Sequence, residues 1–279
     1  MAEEMGEDDS AVAAARAADR AFLGLEPSGQ LRAAFTLTAG LARHDGRLYG
    51  GTAVAAAIAM FEQASERRAL WATVQFVSGA ATVGDRIECE VEVLASGRRT
   101  SQLRVTGRRG GEVLFGALGA TAALKERAVQ GVFETPPQVD PPEACEPFRF
   151  PIPRHLQHMA DVGIERRMEI RVARRPTPGS GELLFWVRAR DHLATPAILG
   201  YLADMVPMSV VHASGHMGGG TSLDNTLRLG LPCETDWVLL QLDPHLALGG
   251  YGHGTAHVWS PDGALLATAS QTAALLVLD

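Results

Sequence analysis

At 279 residues the chain is long enough for one large domain or two of ordinary size, and 46% hydrophobic with 20% charged residues suits a packed protein rather than a disordered one. A formal net charge of −7 excludes nucleic acid as a main partner, because no basic surplus exists to neutralise phosphates. Cys89, Cys145 and Cys233 are few, odd in number and without a CxxC spacing, so they read as reduced thiols of a cytoplasmic protein rather than a disulfide frame or zinc site.

The opening MAEEMGEDDS is acidic, the opposite of a signal peptide's positive n-region, and residues up to about Ala18 read as a frayed lead-in. A short apolar turn (FLGLEPSGQ) and a strand over 31–38 follow, then the loop HDGRLYGG at 44–51. The run TAVAAAIAMFEQAS at 52–65 is the strongest helix in the chain. Its small apolar residues imply burial on most sides, and the glycine pair before it lets another backbone approach its N-terminus. Four strand-like runs come next, 70–77, 86–94, 100–107 and 113–124, separated by GAATVGD, ASGRR and GRRGGE. A buried helix followed by an antiparallel meander is an α+β unit.

The proline-rich stretch 134–153 cannot be helix or central strand and is expected to be an extended linker. After it the pattern repeats. Strands over 165–173 and 182–190 lead to Thr195-Pro196, a helix start, and to the helix 197–213, which Pro207 must kink or shorten. Strands follow over 221–227, 237–242, 254–259 and 265–278. The last strands of the halves are alike, GEVLFGALGATAAL from Gly111 beside GALLATASQTAALL from Gly263. This is an internal duplication with a period far too long for a solenoid. The apolar runs 52–61 and 197–213 are too short for a membrane span.

Several residues ask for a role. Asp204 lies inside an apolar helix, where an unpaired carboxylate costs several kcal/mol and needs partners or work. Ser222 opens a strand, where a hydroxyl often satisfies local backbone groups. Gln271 stands among small and apolar strand residues, where an amide must find partners. His212/His216 and His253/His257 have i, i+4 spacing, but one pair spans a helix end and the other a glycine-rich loop, with no HExxH, so no metal is expected. HMGGG at 216–220 lacks the GxSxG elbow that an esterase oxyanion loop serves, and neither GxGxxG nor GxxxxGK[ST] occurs. The arginine pairs 98–99, 108–109, 166–167 and 174–175 read as solvated strand ends, with phosphate binding as the alternative for any pair beside a pocket.

Phe22-Leu23-Gly24-Leu25, Leu48-Tyr49-Gly50-Gly51, Tyr201-Leu202-Ala203-Asp204, Thr221-Ser222-Leu223-Asp224-Asn225 and Ala269-Ser270-Gln271 follow one another in an order that resembles the acyl-CoA thioesterase II family. The resemblance covers nearly the whole chain. It implies an α+β double hotdog: two fused copies, each a long central helix wrapped by an antiparallel sheet, at 15–130 and 161–279 with the Pro-rich linker at 131–160. It implies an Asp, Ser or Thr, and Gln trio that activates water, which falls on Asp204, Ser222 and Gln271 of the second copy. Asn225 departs from the His that the family commonly carries there. The first copy has Gly119 or Ala120 opposite Gln271, and its nearest acid is Glu62, so one copy is read as catalytic and the other as structural. Gly50 and Gly51 read either as a tight loop or as helix N-terminal amides that polarise the thioester oxygen. The implied reaction is hydrolysis of an acyl-CoA without cofactor or metal, by a cytoplasmic homo-oligomer of two or more chains. The rivals are a non-catalytic acyl-CoA binding protein and a hotdog dehydratase, which needs a His/Asp or His/Glu pair facing the tunnel.

Overall fold

The computed structural model describes residues 4–124, 129, 131–150, 152, 154–159, 161–175 and 181–278. The first half holds α1 (Glu4–Leu23), β1 (Glu26–Pro27), β2 (Arg32–Thr36), α2 (Gly50–Ser65), β3 (Arg68–Phe76), β4 (Arg86–Ser96), β5 (Thr100–Arg109) and β6 (Glu112–Ala122). A two-residue strand, β7 (Glu146–Pro147), lies in the connecting segment. The second half holds β8 (Met168–Arg174), β9 (Leu183–Ala189), α3 (Pro196–Leu202), α4 (Val206–Ala213), β10 (Gly218–Leu229), β11 (Val238–Leu248), β12 (Tyr251–Trp259) and β13 (Leu265–Val277).

All the strands join one antiparallel sheet in the order β1-β2-β4-β5-β6-β3-β10-β13-β12-β11-β9-β8-β7. The halves meet where β3 pairs β10, with Thr73 opposite Thr226 at the middle of the pairing and their hydroxyls 3.0 Å apart. From that point outward β6 matches β13, β5 matches β12 and β4 matches β11. This is the double hotdog that the duplicated sequence implies.

α2 is buried along almost its whole length, from Gly51 to Ala64. Small side chains let the surrounding elements close on it, while Ile58, Met60 and Phe61 fill the space beside it. Each of those three contributes about 1.5–3 kcal/mol through burial. The helix starts two residues before the expected 52, and Tyr49 at its N-cap makes no side-chain cap. Its first amides are therefore left for partners outside the helix.

The expected single helix 197–213 is two helices, separated by Ala203, Asp204 and Met205. Pro207 has no N–H for the Ala203 carbonyl four residues back, so the ladder stops there. Pro207 instead sits in the first turn of α4, where no N–H is needed. Thr195 caps α3, its hydroxyl accepting from Ile198 N–H at 3.3 Å.

Residues 1–3 of the expected frayed lead-in lie outside the described residues, and from Glu4 on the segment is not frayed: it forms α1, whose Asp19, Phe22 and Leu23 are buried. Alanine-rich sequence favours the helix, and docking of its last turn fixes it. Phe22 packs edge-on against Tyr201 and His192, and Asp19 accepts from the Thr195 hydroxyl at the start of α3. Residues 136–145 of the proline-rich segment lie against β9, β11 and β12 on the second face of the sheet. There Leu184, Trp186, Leu239 and Trp259 form a small cluster apart from the main core, and Trp186 Nε1 donates to Asp140 O at 2.8 Å.

Candidate active site

Asp204 lies in the break between α3 and α4 and is 8% exposed. Its backbone carbonyl accepts from the Tyr49 hydroxyl at 3.2 Å. Its Oδ1 accepts from Gln271 Nε2 at 2.5 Å and from Asn225 Nδ2 at 2.8 Å. The second proton of Gln271 Nε2 goes to Ser222 Oγ at 2.6 Å. Asp204, Ser222 and Gln271, scattered in sequence, thus meet at one point.

A β-bulge makes this meeting possible. Ser222 pairs with Ala273 and Asp224 with Thr272, so Leu223 is an extra residue in β10. Ser222 and Asn225 are an odd number of residues apart and would face opposite sides of a regular strand. The inserted Leu223 takes up the odd residue, so that Asn225 reaches Asp204 and Ser222 reaches Gln271 on the same side of the strand. Asn225 is cross-strand partner to Gln271, which sets their two amides side by side.

Burial pushes the Asp204 carboxyl up to about 6, against the lowering pull of Asn225, the Gly51 N–H, Gln271 and the positive Arg43. Burial and the nearby Asp204 charge also hold the Tyr49 phenol far above its ordinary range.

Gly50 and Gly51 open α2 directly against this carboxylate. A Cβ on Gly50 would strike Asp204 Oδ2, and one on Gly51 would strike Tyr201 O and the Tyr49 ring. Both positions therefore require glycine for close approach. The Gly51 N–H faces the Asp204 carboxylate rather than standing free.

A cavity of about 430 Å³ opens in front of Asp204, Ser222 and Gly50. Phe76, Leu114, Met205, Met208 and Leu276 give it apolar walls, and Arg43, His44 and Arg47 also line it. Arg43 is paired with Asp45 and reaches Thr221 Oγ1 at 3.3 Å, whereas Arg47 makes no ion pair among the described residues. His44 directs Nδ1 at Val162 O (2.9 Å) and Nε2 at Glu165 Oε1 (2.8 Å). The bond to Glu165 raises its pKa, and acceptors at both nitrogens favour the charged ring.

In the first half, Asn225 before Thr226 corresponds to Ala72 before Thr73, and Ala72 pairs with Gly119 as Asn225 pairs with Gln271. Gly119, not Ala120, is thus the counterpart of Gln271. A Cβ there would run into the Phe61 ring, so an aromatic side chain fills the place. Glu62 is turned to Ala69 N–H at 2.8 Å and to Arg16 at 3.7 Å.

Sequence reading named Asp204, Ser222, Gln271, Gly50 and Gly51 but gave no role to Tyr49, Arg43 or His44, and saw Asn225 only as a departure. The one available signal was a buried-type amide inside the strand GGGTSLDNTLRL. The bulge that turns it inward has no signature in a single sequence. His253 and His257 lie on a strand, where four residues span about 13 Å, too far for a shared metal. Among the described residues no three His, Cys, Asp or Glu side chains are gathered as a metal site.

Residues 142–275 match the acyl-CoA thioesterase C-terminal domain and residues 37–124 the acyl-CoA thioesterase N-terminal domain. No sequence among the curated proteins matches the chain. Among solved structures, a Novosphingobium aromaticivorans protein to which thioesterase activity is ascribed is similar at 27% identity and TM-score 0.80, over 90% of this chain and 98% of that one. Acyl-CoA thioesterase II TesB2 from Mycobacterium marinum shares the fold at 19% identity and TM-score 0.69, over 93% and 98% of the two chains. With its two halves matching the family's two domains in order, this chain belongs to the acyl-CoA thioesterase family.

Proposed function

We propose that the protein hydrolyses an acyl-CoA to free fatty acid and CoA, with water activated by Asp204. The observation that carries this reading is that Gln271 joins the Asp204 carboxylate to the Ser222 hydroxyl at the wall of an apolar cavity. Ser222 Oγ accepts from Gln271, so its own proton is free to hold the oxygen of a water. That water gives a proton to Asp204 and attacks the thioester carbon. The oxyanion faces the N-terminus of α2, where the Gly50 amide and the helix dipole favour negative charge. Collapse breaks the C–S bond, and Asp204 returns the proton to the departing CoA sulfur. A thioester carbonyl is electrophilic enough that one carboxylate and one oxyanion donor suffice. Of the positive groups at the cavity, Arg47 makes no ion pair among the described residues, and it is the one assigned to the CoA phosphates.

The same reading carries the division at 15–130, 131–160 and 161–279, a cytoplasmic setting, and the absence of any cofactor or metal from the reaction. His44 and Glu165 do form a His/Glu pair beside the cavity, the feature a dehydratase would need. Both His44 nitrogens are engaged by acceptors, so neither is available as a base, which favours hydrolysis. Acyl-CoAs of graded chain length, followed by release of free thiol, test the proposal. Acyl-CoA that binds and is never cleaved would move the chain to the binding-protein reading, and hydration of an enoyl-CoA would favour the dehydratase.

A further inference from the structure

The two oxygens of Asp204 stand in different surroundings. A carboxylate oxygen offers two lone-pair positions, and at Oδ1 both are taken, one by Asn225 Nδ2 at 2.8 Å and one by Gln271 Nε2 at 2.5 Å. Oδ2 lies against Gly50, so close that a methyl group on that residue would collide with it, and both residues line the cavity. With both Oδ1 positions taken, the Gly51 N–H falls to Oδ2, whose other lone pair is then the place for a proton taken from water.

Asn225 is 1% exposed, and its orientation is forced, because the flipped amide would set a carbonyl against a carboxylate. Its own Oδ1 is buried and meets no partner among the described residues. A merely structural amide would be used at both ends; this one is used only toward Asp204. Gln271 cannot fill the place, since its second proton is committed to Ser222.

We propose that Asn225 is a positioning residue for the hydrolysis: together with Gln271 it saturates Asp204 Oδ1, fixes the carboxylate plane and leaves Oδ2 as the oxygen that takes the proton. The inference rests on the thioesterase reading. Arg43 and the Tyr49 phenol, from the segment leading into α2, are the titratable groups that face Asp204. α2 presents the Gly51 amide to it, and β10 and β13 present only the neutral side chains of Ser222, Asn225 and Gln271. Asp224 is turned to Thr272 N–H, and Tyr201 of α3 donates to Gly40 O.

The test compares Asn225→Leu, which removes the donor at similar volume, with Asn225→Ala, which only deletes atoms, and with Asn225→His, which keeps an N–H. The acid limb of the kcat/KM profile is expected to move up by about one pH unit in the first two, as loss of a hydrogen bond to a charged group requires. The same variants lose kcat at neutral pH with KM little changed, and Asn225→His restores part of the limb. The titration of the Asp204 carboxyl, followed by ¹³C NMR and assigned with Asp204→Asn, moves in the same direction. A limb and a carboxyl titration left at their wild-type positions in both Asn225→Leu and Asn225→Ala would overturn the inference while leaving the thioesterase reading intact. A wild-type chain that cleaves no acyl-CoA overturns that reading instead, and the carboxyl titration then decides the role of Asn225 by itself.

Discussion

At the scale of single residues the site is governed by one buried carboxylate whose neutral form is favoured by burial. On the proposed mechanism its pKa of about 6 sets the acid limb: as pH falls below that value the base is protonated, and kcat/KM is expected to fall about tenfold per unit. The same shift has a stability consequence of opposite use. A carboxyl raised from 3.8 stabilises the fold when protonated and loses that contribution as pH rises through about 6. The cost of the ionised form is of order 3 kcal/mol. Asp204→Asn is therefore expected to lower turnover by about 100- to 10,000-fold while acyl-CoA binding persists. Its Tm relative to the wild type should be more favourable at pH 8 than at pH 5, which calorimetry at the two pH values checks. Ser222→Ala and Gln271→Ala should each cost about tenfold, and the losses should not add to that of Asp204→Asn, since the proposed mechanism uses the three as a unit. Gly50→Ala forces Oδ2 aside, and a displacement of that kind costs about 100-fold in kcat. Normal turnover in Gly50→Ala would show that the close approach is unnecessary.

At the scale of elements the interruptions position the chemistry. Pro207 ends α3 and frees Asp204 from the helical ladder, and the bulge at Leu223 brings Asn225 to it and Ser222 to Gln271 beside it. α1 clamps α3, the helix that leads into the break bearing Asp204, through the Asp19–Thr195 bond at its start and Phe22 against Tyr201 near its end. Phe22→Ala removes a fully buried ring and is expected to cost about 3–5 kcal/mol in denaturant unfolding. If it costs under 1 kcal/mol, α1 is a passive appendage. Burial pushes Asp19 up to about 7 against the lowering pull of the Thr195 bond, so its net contribution to stability is present at low pH and is lost as pH rises through about 7.

At the scale of the whole molecule the sheet ends in two-residue strands, β1 and β7, which offer little to a pairing partner. Association is expected through exposed apolar side chains instead. Leu248 and Tyr251 are cross-strand partners at the β11–β12 turn, 74% and 55% exposed, with Leu246 nearby at 51%. A dimer or larger species is the expected result of light scattering at micromolar concentration, and Leu248→Lys should shift it toward single chains. A strict mass of 29.6 kDa for the unmodified protein would refute this.

The sequence by itself determined the duplicated helix-plus-meander order, because periodicity and turn residues act locally. The α2 run and the meander strands could be read to within a few residues at most ends for that reason, and Pro207 announced an interruption. Asp204 and Gln271 stood out because a charge or an amide among apolar neighbours must find partners wherever the chain takes it. Which partners they find was not local information. The docking of α1, the bulge that turns Asn225 inward, the approach of Gly50 to Oδ2 and the filling of the first copy's site by Phe61 all depend on surfaces brought together from distant segments. Those were decided only by the tertiary structure, where close packing leaves each buried polar group a single set of neighbours.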